Sequence, residues 1–280
     1  MGRRFEPVWA HLCRKDKEIR KTTLRLVRKV LKSFNLSLYR FGLAEDLIQR
    51  VTEGKRINLR LLSIFPSLDS AELIKMLDVS KSQNGQDLFA LMQNDFKCGG
   101  YFVEFGATNG ISLSNTFLLE SRYGWSGILA EPAKAYHKEL LEQRNCIIDK
   151  RAVYSKSGKS LQFNEVNSLS LSTLLEFSES DSWADMRTHG KIYSVETISL
   201  NDLLKTHKAP YEIDFLSIDT EGSEFEILST FDFREHVFRV ICVEHNYSEN
   251  RQRIFELLTR EGYKRVLEEL SMADDWYTKT

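Results

Sequence analysis

The chain has 280 residues, 42% of them hydrophobic and 28% charged, with a net charge of −1. That is enough to bury one large α/β core without disulfide or metal staples. It excludes a strongly basic nucleic-acid binder and a disordered polyelectrolyte, and no apolar run approaches the ~20 residues of a membrane span.

The charge is unevenly placed. Residues 1–60 carry 16 basic and 6 acidic residues, leaving 23 basic and 34 acidic residues to the remainder. Between Thr22 and Phe34, Leu24, Val27, Leu31 and Phe34 recur at helical spacing, with Arg25, Arg28, Lys29 and Lys32 mostly opposite. This predicts a basic amphipathic helix. It has two readings: packing on the domain with its charges solvated, or docking to an anionic membrane surface or acidic partner. Nucleic acid is not expected, because no aromatic platforms interleave with the charges. Further helices are predicted at Ala44–Val51 and at Leu59–Leu77, the latter broken at Pro66. Residues 1–80 thus read as a basic helical extension and residues 81–280 as the main domain. Cys13, Cys98, Cys146 and Cys242 form no C-x-x-C pair and read as buried free thiols of a reducing compartment. No apolar segment follows the basic N-terminal residues as a signal peptide requires, so a cytoplasmic protein is expected, with peripheral membrane contact as the alternative for the basic helix.

After Ser82 the pattern alternates strands with helices. Tyr101–Phe105 reads as a buried strand ending in a glycine turn, Gly106-Ala-Thr-Asn-Gly110, with a helix starting within Leu113–Glu120. Glycine permits close backbone approach, and a helix start offers unpaired N–H groups. Glu104 beside the turn repels a pyrophosphate and attracts a cation, which points to S-adenosylmethionine (SAM). The turn lacks the middle glycine of G-x-G-x-x-G, which weighs against a nicotinamide-dependent enzyme, and no Gly-Lys-Ser/Thr is present for a P-loop.

Gly127–Glu131 is the second predicted strand. Its terminal Glu131 suits ribose hydroxyls. Cys146–Val153 reads as a third strand and Ser160–Val166 as a hairpin arm. Residues 167–194, rich in Ser, Leu and acids, read as a long loop serving as a substrate lid. Ile213–Ile218 leads into Asp219-Thr-Glu-Gly222, and Arg239–Glu244 leads into His245-Asn246. A helix is expected over Glu249–Arg260, then strands at Tyr263–Leu267 and Trp276–Thr278. Repeated β–α units predict a doubly wound, mainly parallel sheet with ligands at the carboxyl ends of its strands.

Asp219 and Glu221 can face one side of the fourth strand end, next to Glu244 and His245. Three uses are open. His245 can act as a base toward an acceptor hydroxyl, Asp219, Glu244 and His245 can hold Mg²⁺, or the groups cap strand ends. Ser223 and Glu226 match a capping box.

The motifs Ser82-Gln-Asn-Gly-Gln-Asp87, Phe102-Val-Glu-Phe-Gly-Ala107, Ser114-Asn-Thr116, Gly124-Trp-Ser-Gly127, Glu131-Pro132, Val195-Glu-Thr-Ile-Ser-Leu200, Ser217-Ile-Asp-Thr-Glu-Gly222 and Asp275-Trp-Tyr277 together resemble the FkbM family of SAM-dependent methyltransferases. The resemblance covers about Ser82–Tyr277. It implies a class I, Rossmann-like methyltransferase fold: a mainly parallel seven-stranded sheet with a reversed last strand. It implies methyl transfer to oxygen, on a hydroxyl of a sugar, glycan or natural product. By the same resemblance Glu104, Gly106, Ala107, Gly110, Glu131, Pro132 and Asp219 line the SAM site. Gln83 and Asp87 close over it, and Asp219-Thr-Glu221 faces the reacting methyl; with His245, read above as a base, Asp219 and Glu221 make up the candidate catalytic set. The alternative is a SAM- or glycan-binding module without catalysis, working through its basic helix.

Overall fold

The computed structural model describes residues 76, 79–166, 169–181 and 183–280. The basic helix, the other helices predicted before residue 76 and Cys13 lie outside the described residues. So does nearly all of the 1–80 extension.

Nine segments build a sheet with helices on both faces. In chain order they are helix α1 (Gln86–Gln93), strand β1 (Tyr101–Phe105), α2 (Phe117–Tyr123), β2 (Ser126–Ala130), α3 (His137–Gln143), β3 (Ile147–Asp149), then, after the segment described below, β8 (Glu212–Ile218), α5 (Glu224–Ser229) and β9 (Val237–Glu244). Helix α6 (Asn250–Arg260) and strands β10 (Tyr263–Val266) and β11 (Asp274–Lys279) complete it. The strand order is β10-β11-β9-β8-β1-β2-β3. Strands β3, β2, β1, β8 and β9 run parallel, and β11 runs antiparallel between β9 and β10.

Burial on both faces explains the apolar runs of β1 and β8. Val103 and Phe105 enter one core layer with Ile128, Leu216 and Ile218. Phe102 enters the other with Leu129, Phe215 and Trp276. This two-residue alternation puts Glu104 on the Phe102 face. In that layer Phe89 of α1 stacks on Trp276 at 4.8 Å, tying the first described helix to the last strand.

A smaller sheet holds strands β4 (Ala152–Val153), β5 (Ser160–Glu165), β6 (Thr173–Leu174) and β7 (Lys191–Ile198), in the order β4-β7-β5-β6, with helix α4 (Leu200–Thr206) following β7. Two expectations change here. The single strand over Cys146–Val153 breaks in two. Asp149 accepts from the Arg151 backbone N–H at 3.0 Å and from its guanidinium, which turns the chain, so β4 pairs with β7 instead of continuing β3. The predicted long loop is also partly strand. β5 pairs antiparallel with β7 from Ser160↔Glu196 to Glu165↔Lys191. The segment between these strands carries short 3₁₀ turns at Leu175–Phe177 and Ala184–Arg187.

The thiols also depart from expectation. Cys242 is buried and Cys146 half-buried, but Cys98 is exposed, and all three are free. Among the described residues no helix is long and apolar enough to cross a membrane.

Candidate functional site

The carboxyl ends of β1, β2, β8 and β9 converge. Gly106 has φ 74°, and a Cβ there would lie 1.9 Å from the Asp219 carbonyl oxygen. Its N–H donates to Ala130 O at 3.1 Å. The glycine expected to admit a ligand therefore also admits the neighbouring strand end. Gly110, at φ 85°, similarly makes room for Leu140 and Arg144, each 2.7 Å from a hypothetical Cβ. Ala107 is fully buried in the Phe102 core layer. Thr108, Glu221, Asn246 and Tyr247 all have positive φ. They follow β1, β8 and β9, and strain of this kind, of order 1–3 kcal/mol per residue, gathers where function holds the backbone in place.

Glu131 closes β2. Its Oε2 accepts from Thr108 N at 2.9 Å and its Oε1 from Ala133 N at 2.8 Å. Burial pushes its carboxyl up to about 8, against those two amides and with help from the charges of Asp219 and Glu104. Pro132 beside it is half-buried.

Glu104 has a different set of partners from the one expected. Its carboxylate accepts from Asn115 N at 2.6 Å, from Ser114 Oγ at 3.0 Å and from Thr116 Oγ1. The buried Arg144 stands 3.9 Å away and also binds Glu120, Gly110 O, Ser114 and Thr116. Its charge is thus matched by the chain's own guanidinium, and its oxygens hold the loop leading into α2. Burial still raises the carboxyl, with Arg144 opposing.

The segment before α1 divides. Gln83 is exposed, whereas Asp87 is sealed in, accepting from Ser80 Oγ, Ser82 Oγ and Leu88 N. Burial lifts it to about 6. Asp87 thus anchors the start of α1 through Oδ1, while its Oδ2 is buried without a hydrogen-bond partner.

Asp219, Glu221 and Glu244 bring carboxylate oxygens within 4.8 Å of one another. Burial raises Asp219 to about 7, although a hydrogen bond shared with Glu244 pulls it back down. Glu244 is pushed well above the usual carboxyl range by burial and by the charges of Asp219 and Glu221. Two acids this close share a proton, because both cannot ionise in a dry site. Burial and the adjacent Asp219 push Glu221 up to about 9 against the pull of Arg187. Arg187, itself buried, reaches Glu221 Oε2 at 2.5 Å and holds both oxygens of Asp181.

His245 lies beside these acids but outside the cluster. Its Nδ1 accepts from Tyr247 N at 3.0 Å, which places its proton on Nε2, and Nε2 lies 3.6 Å from Asp275 Oδ1. Burial lowers it to about 4, so it is neutral at pH 7. The lone pair expected to act as a base is occupied by a backbone amide. The oxygen set fit for a hard cation is Asp219, Glu221 and Glu244 rather than one containing His245.

The capping box is replaced as well. Ser223 caps α5 without a side-chain bond to its amides. Glu224 does the work instead, its Oε1 accepting from Thr220 N, Thr220 Oγ1 and Gly222 N at 2.9–3.0 Å. Sequence reasoning also missed Arg144 and Arg187. Each lies in a polar stretch where nothing local marks it as buried; a basic residue amid unpaired acids of a distant motif is the only signal.

Beside the acid cluster is a cavity of about 250 Å³, walled by Gly222, Glu224, Glu244, His245 and Asn246 and roofed by Phe177, Ser180 and Asp181. Gly222 is needed there, since a Cβ would come within 2.9 Å of Phe177 Cβ and Ser180 Oγ.

Residues 104–270 match the model of the methyltransferase FkbM domain. No curated protein matches the chain. Among solved structures, the chain is similar to a precorrin-6y C5,15-methyltransferase from Geobacter metallireducens GS-15, at 12% identity over 71% of this chain and 88% of that one, TM-score 0.38. It is also similar to a methyltransferase FkbM from Methylobacillus flagellatus KT, at 11% identity over 84% and 60%, TM-score 0.39. At such scores these likenesses add no weight. The domain match covers more than half of the chain. The chain belongs to the FkbM methyltransferase family, whose members transfer methyl groups.

Proposed function

We propose that this protein is a SAM-dependent O-methyltransferase acting on a hydroxyl of a sugar, glycan or natural product. The observation that carries this reading is the set of buried and half-buried acids at the carboxyl ends of β2, β8 and β9. Glu131, Asp219, Glu221 and Glu244 are all raised by burial, and Arg187 is the cation bound to one of them. Carboxyls that titrate this high lack positive partners, and a sulfonium with an ammonium supplies them.

Glu131 is the residue for the ribose hydroxyls, since a carboxylate has acceptor capacity beyond its two amide bonds. The Gly106–Gly110 turn and Asp219 form the rest of the donor wall. The bound donor supplies a methyl group that needs little further activation, because its sulfur loses charge on transfer. The chain's own tasks are then positioning and proton removal. Asp219, titrating at about 7, accepts the proton of the acceptor hydroxyl as oxygen bonds to carbon. His245 orients the loop after β9 through Tyr247. We assign residues 1–80 to a separate basic extension that docks on an anionic surface.

A second reading places Mg²⁺ among Asp219, Glu221 and Glu244, on the strength of their clustered oxygens. Loss of activity in EDTA, restored by Mg²⁺, favours it. The principal test is incubation with methyl-labelled SAM and a panel of glycans and extract fractions. Label on a hydroxyl, with the mass gain of one methylene, is expected. SAM binding with no methylated product from any acceptor favours the non-catalytic module, and absence of SAM binding overturns both readings.

A further inference from the structure

We infer that Arg144 is the positioning residue of the donor site: without touching SAM, its guanidinium holds the Gly106–Gly110 turn and the loop after it in the shape that binds SAM. The inference rests on the proposed methyltransferase reading and adds to that site a residue that acts only through the backbone it fixes.

Arg144 is the C-cap of α3, and its side chain is only 1% exposed. A guanidinium this enclosed meets the chain rather than a ligand. Its Nη1 donates to the Gly110 carbonyl at 3.0 Å and to Ser114 Oγ at 3.1 Å, its Nη2 to Thr116 Oγ1 at 2.9 Å, and its Nε to Glu120 Oε2 at 2.5 Å. Four of the five N–H groups of an arginine are thereby used, three of them on the loop from Gly110 to Thr116. The planar fork fixes those three acceptors relative to one another, which the point charge of a lysine cannot do. Gly110 completes the fit by leaving open the space that the Arg144 stem fills.

The held loop is continuous with the donor wall. Thr108 N donates to Glu131 Oε2 at 2.9 Å, and the Thr108 hydroxyl donates to Ser112 O at 2.7 Å. Asn109 Nδ2 donates to Glu139 Oε2, also on α3, at 3.2 Å. The turn is thus strung between the acid assigned to ribose at one end and α3 at the other, and a shift at Gly110 moves the amide that orients Glu131. Thr108 sits at φ 49°, a conformation that persists only where surrounding contacts impose it. Charge is settled within the same group. An unpaired guanidinium beside the turn would repel a sulfonium and an ammonium, but Arg144 lies 3.9 Å from Glu104 and is bonded to Glu120. The hydroxyls of Ser114 and Thr116 accept from Arg144 and donate to Glu104, which locks the acid and the base to the same loop. A site preorganised in this way spends less of its binding free energy on ordering the turn.

The test pairs SAM calorimetry at pH 7 with urea unfolding, on the full chain carrying Arg144→Lys or the double substitution Arg144→Met with Glu104→Gln. Arg144→Lys keeps the charge and leaves Glu104 intact but loses the fork; SAM should bind about three- to tenfold more weakly, which assigns the loss to the guanidinium itself. The double variant removes both charges together, so no buried acid is stranded at Glu104 and the urea midpoint should stay close to that of the unaltered chain. Its SAM affinity should nevertheless fall by at least about tenfold, because the turn is no longer held. Stability and affinity part in this way only if Arg144 shapes the site; a merely structural role predicts that they move together. Full SAM affinity in Arg144→Lys, or in the double variant, overturns the inference. Should the double variant not fold, Arg144→Lys decides by the same criterion. The titration of the unaltered chain separates the two ideas: SAM bound equally well by both proteins ends this inference alone, and no SAM binding by the unaltered chain ends the methyltransferase reading itself.

Discussion

Arg187 Nη2 meets Glu221 Oε2 at 2.5 Å while its other donors hold Asp181 and the Leu171 carbonyl. One buried guanidinium thus ties the segment between β5 and β7 to the turn that ends β8. Removing it leaves two buried acids without a cation. Arg187→Met is expected to destabilise the protein by about 3–5 kcal/mol, read from urea unfolding. Arg187→Lys, which cannot reproduce the fork, should recover only part of that loss.

Gly106→Ala should be costly for a reason independent of any ligand. The new Cβ would sit 1.9 Å from Asp219 O at a φ of 74°. A destabilisation of at least about 2 kcal/mol is expected, with β1 and β8 forced apart. Unchanged thermal stability would mean that the strand ends do not meet as described.

Asp219→Asn separates chemistry from binding. With Asp219 at about 7 and needed in its ionised form, kcat/KM should rise with pH through that value and then level off. In the Asn variant the rise should vanish and turnover fall by about 100-fold or more, while the SAM dissociation constant changes far less. Equal losses of binding and turnover would assign Asp219 a structural role.

Glu131→Gln should weaken SAM by about tenfold, because it removes a charged acceptor while keeping the size of the side chain. Binding to the unaltered protein should release protons near pH 7–8. Ribose hydroxyls donating to a carboxyl at about 8 favour its ionised form, and the displaced proton appears as a heat that depends on buffer ionisation enthalpy. Calorimetry in two buffers checks both points.

Stability should fall as pH rises. Asp87, Asp274, Asp219 and Glu131 are raised in the fold to about 6, 6, 7 and 8. Between about pH 4, the unfolded value, and pH 8 the folded chain therefore holds more protons than the unfolded one. The stabilising contribution is complete below pH 4 and lost through this window. Asp149, lowered by Arg151 and His207 against the cost of burial, acts the other way only in acid, and His245, lowered by burial to about 4, opposes the trend between about pH 4 and 6.5. Melting by scanning fluorimetry should be lower at pH 8 than at pH 5 by roughly 5 °C, and saturating SAM should narrow the gap.

Much of the sheet was legible. Phe102–Phe105, Ile213–Ile218 and Val240–Val243 are strands buried on both faces, and continuous apolar runs announce such strands wherever they fall. The end of the long loop differs from expectation because Lys191–Ser194, Ile192 included, is mostly exposed and pairs with β5 on a half-exposed sheet, so no buried apolar run marks it. The break at Asp149 was hidden because its cause is a side-chain bond to Arg151, not a glycine or proline.

By itself the sequence determined the buried strands of the main sheet, the family and the acids at the strand ends, because these depend on local runs and spacing. Only the tertiary structure decided what each acid faces. Glu104 finds Arg144, 40 positions along; Glu221 finds Arg187, 34 positions before it; His245 turns to Tyr247 and Asp275. A carboxylate's charge state and use follow from burial and from the partner across the fold, and neither is written in its neighbours along the chain.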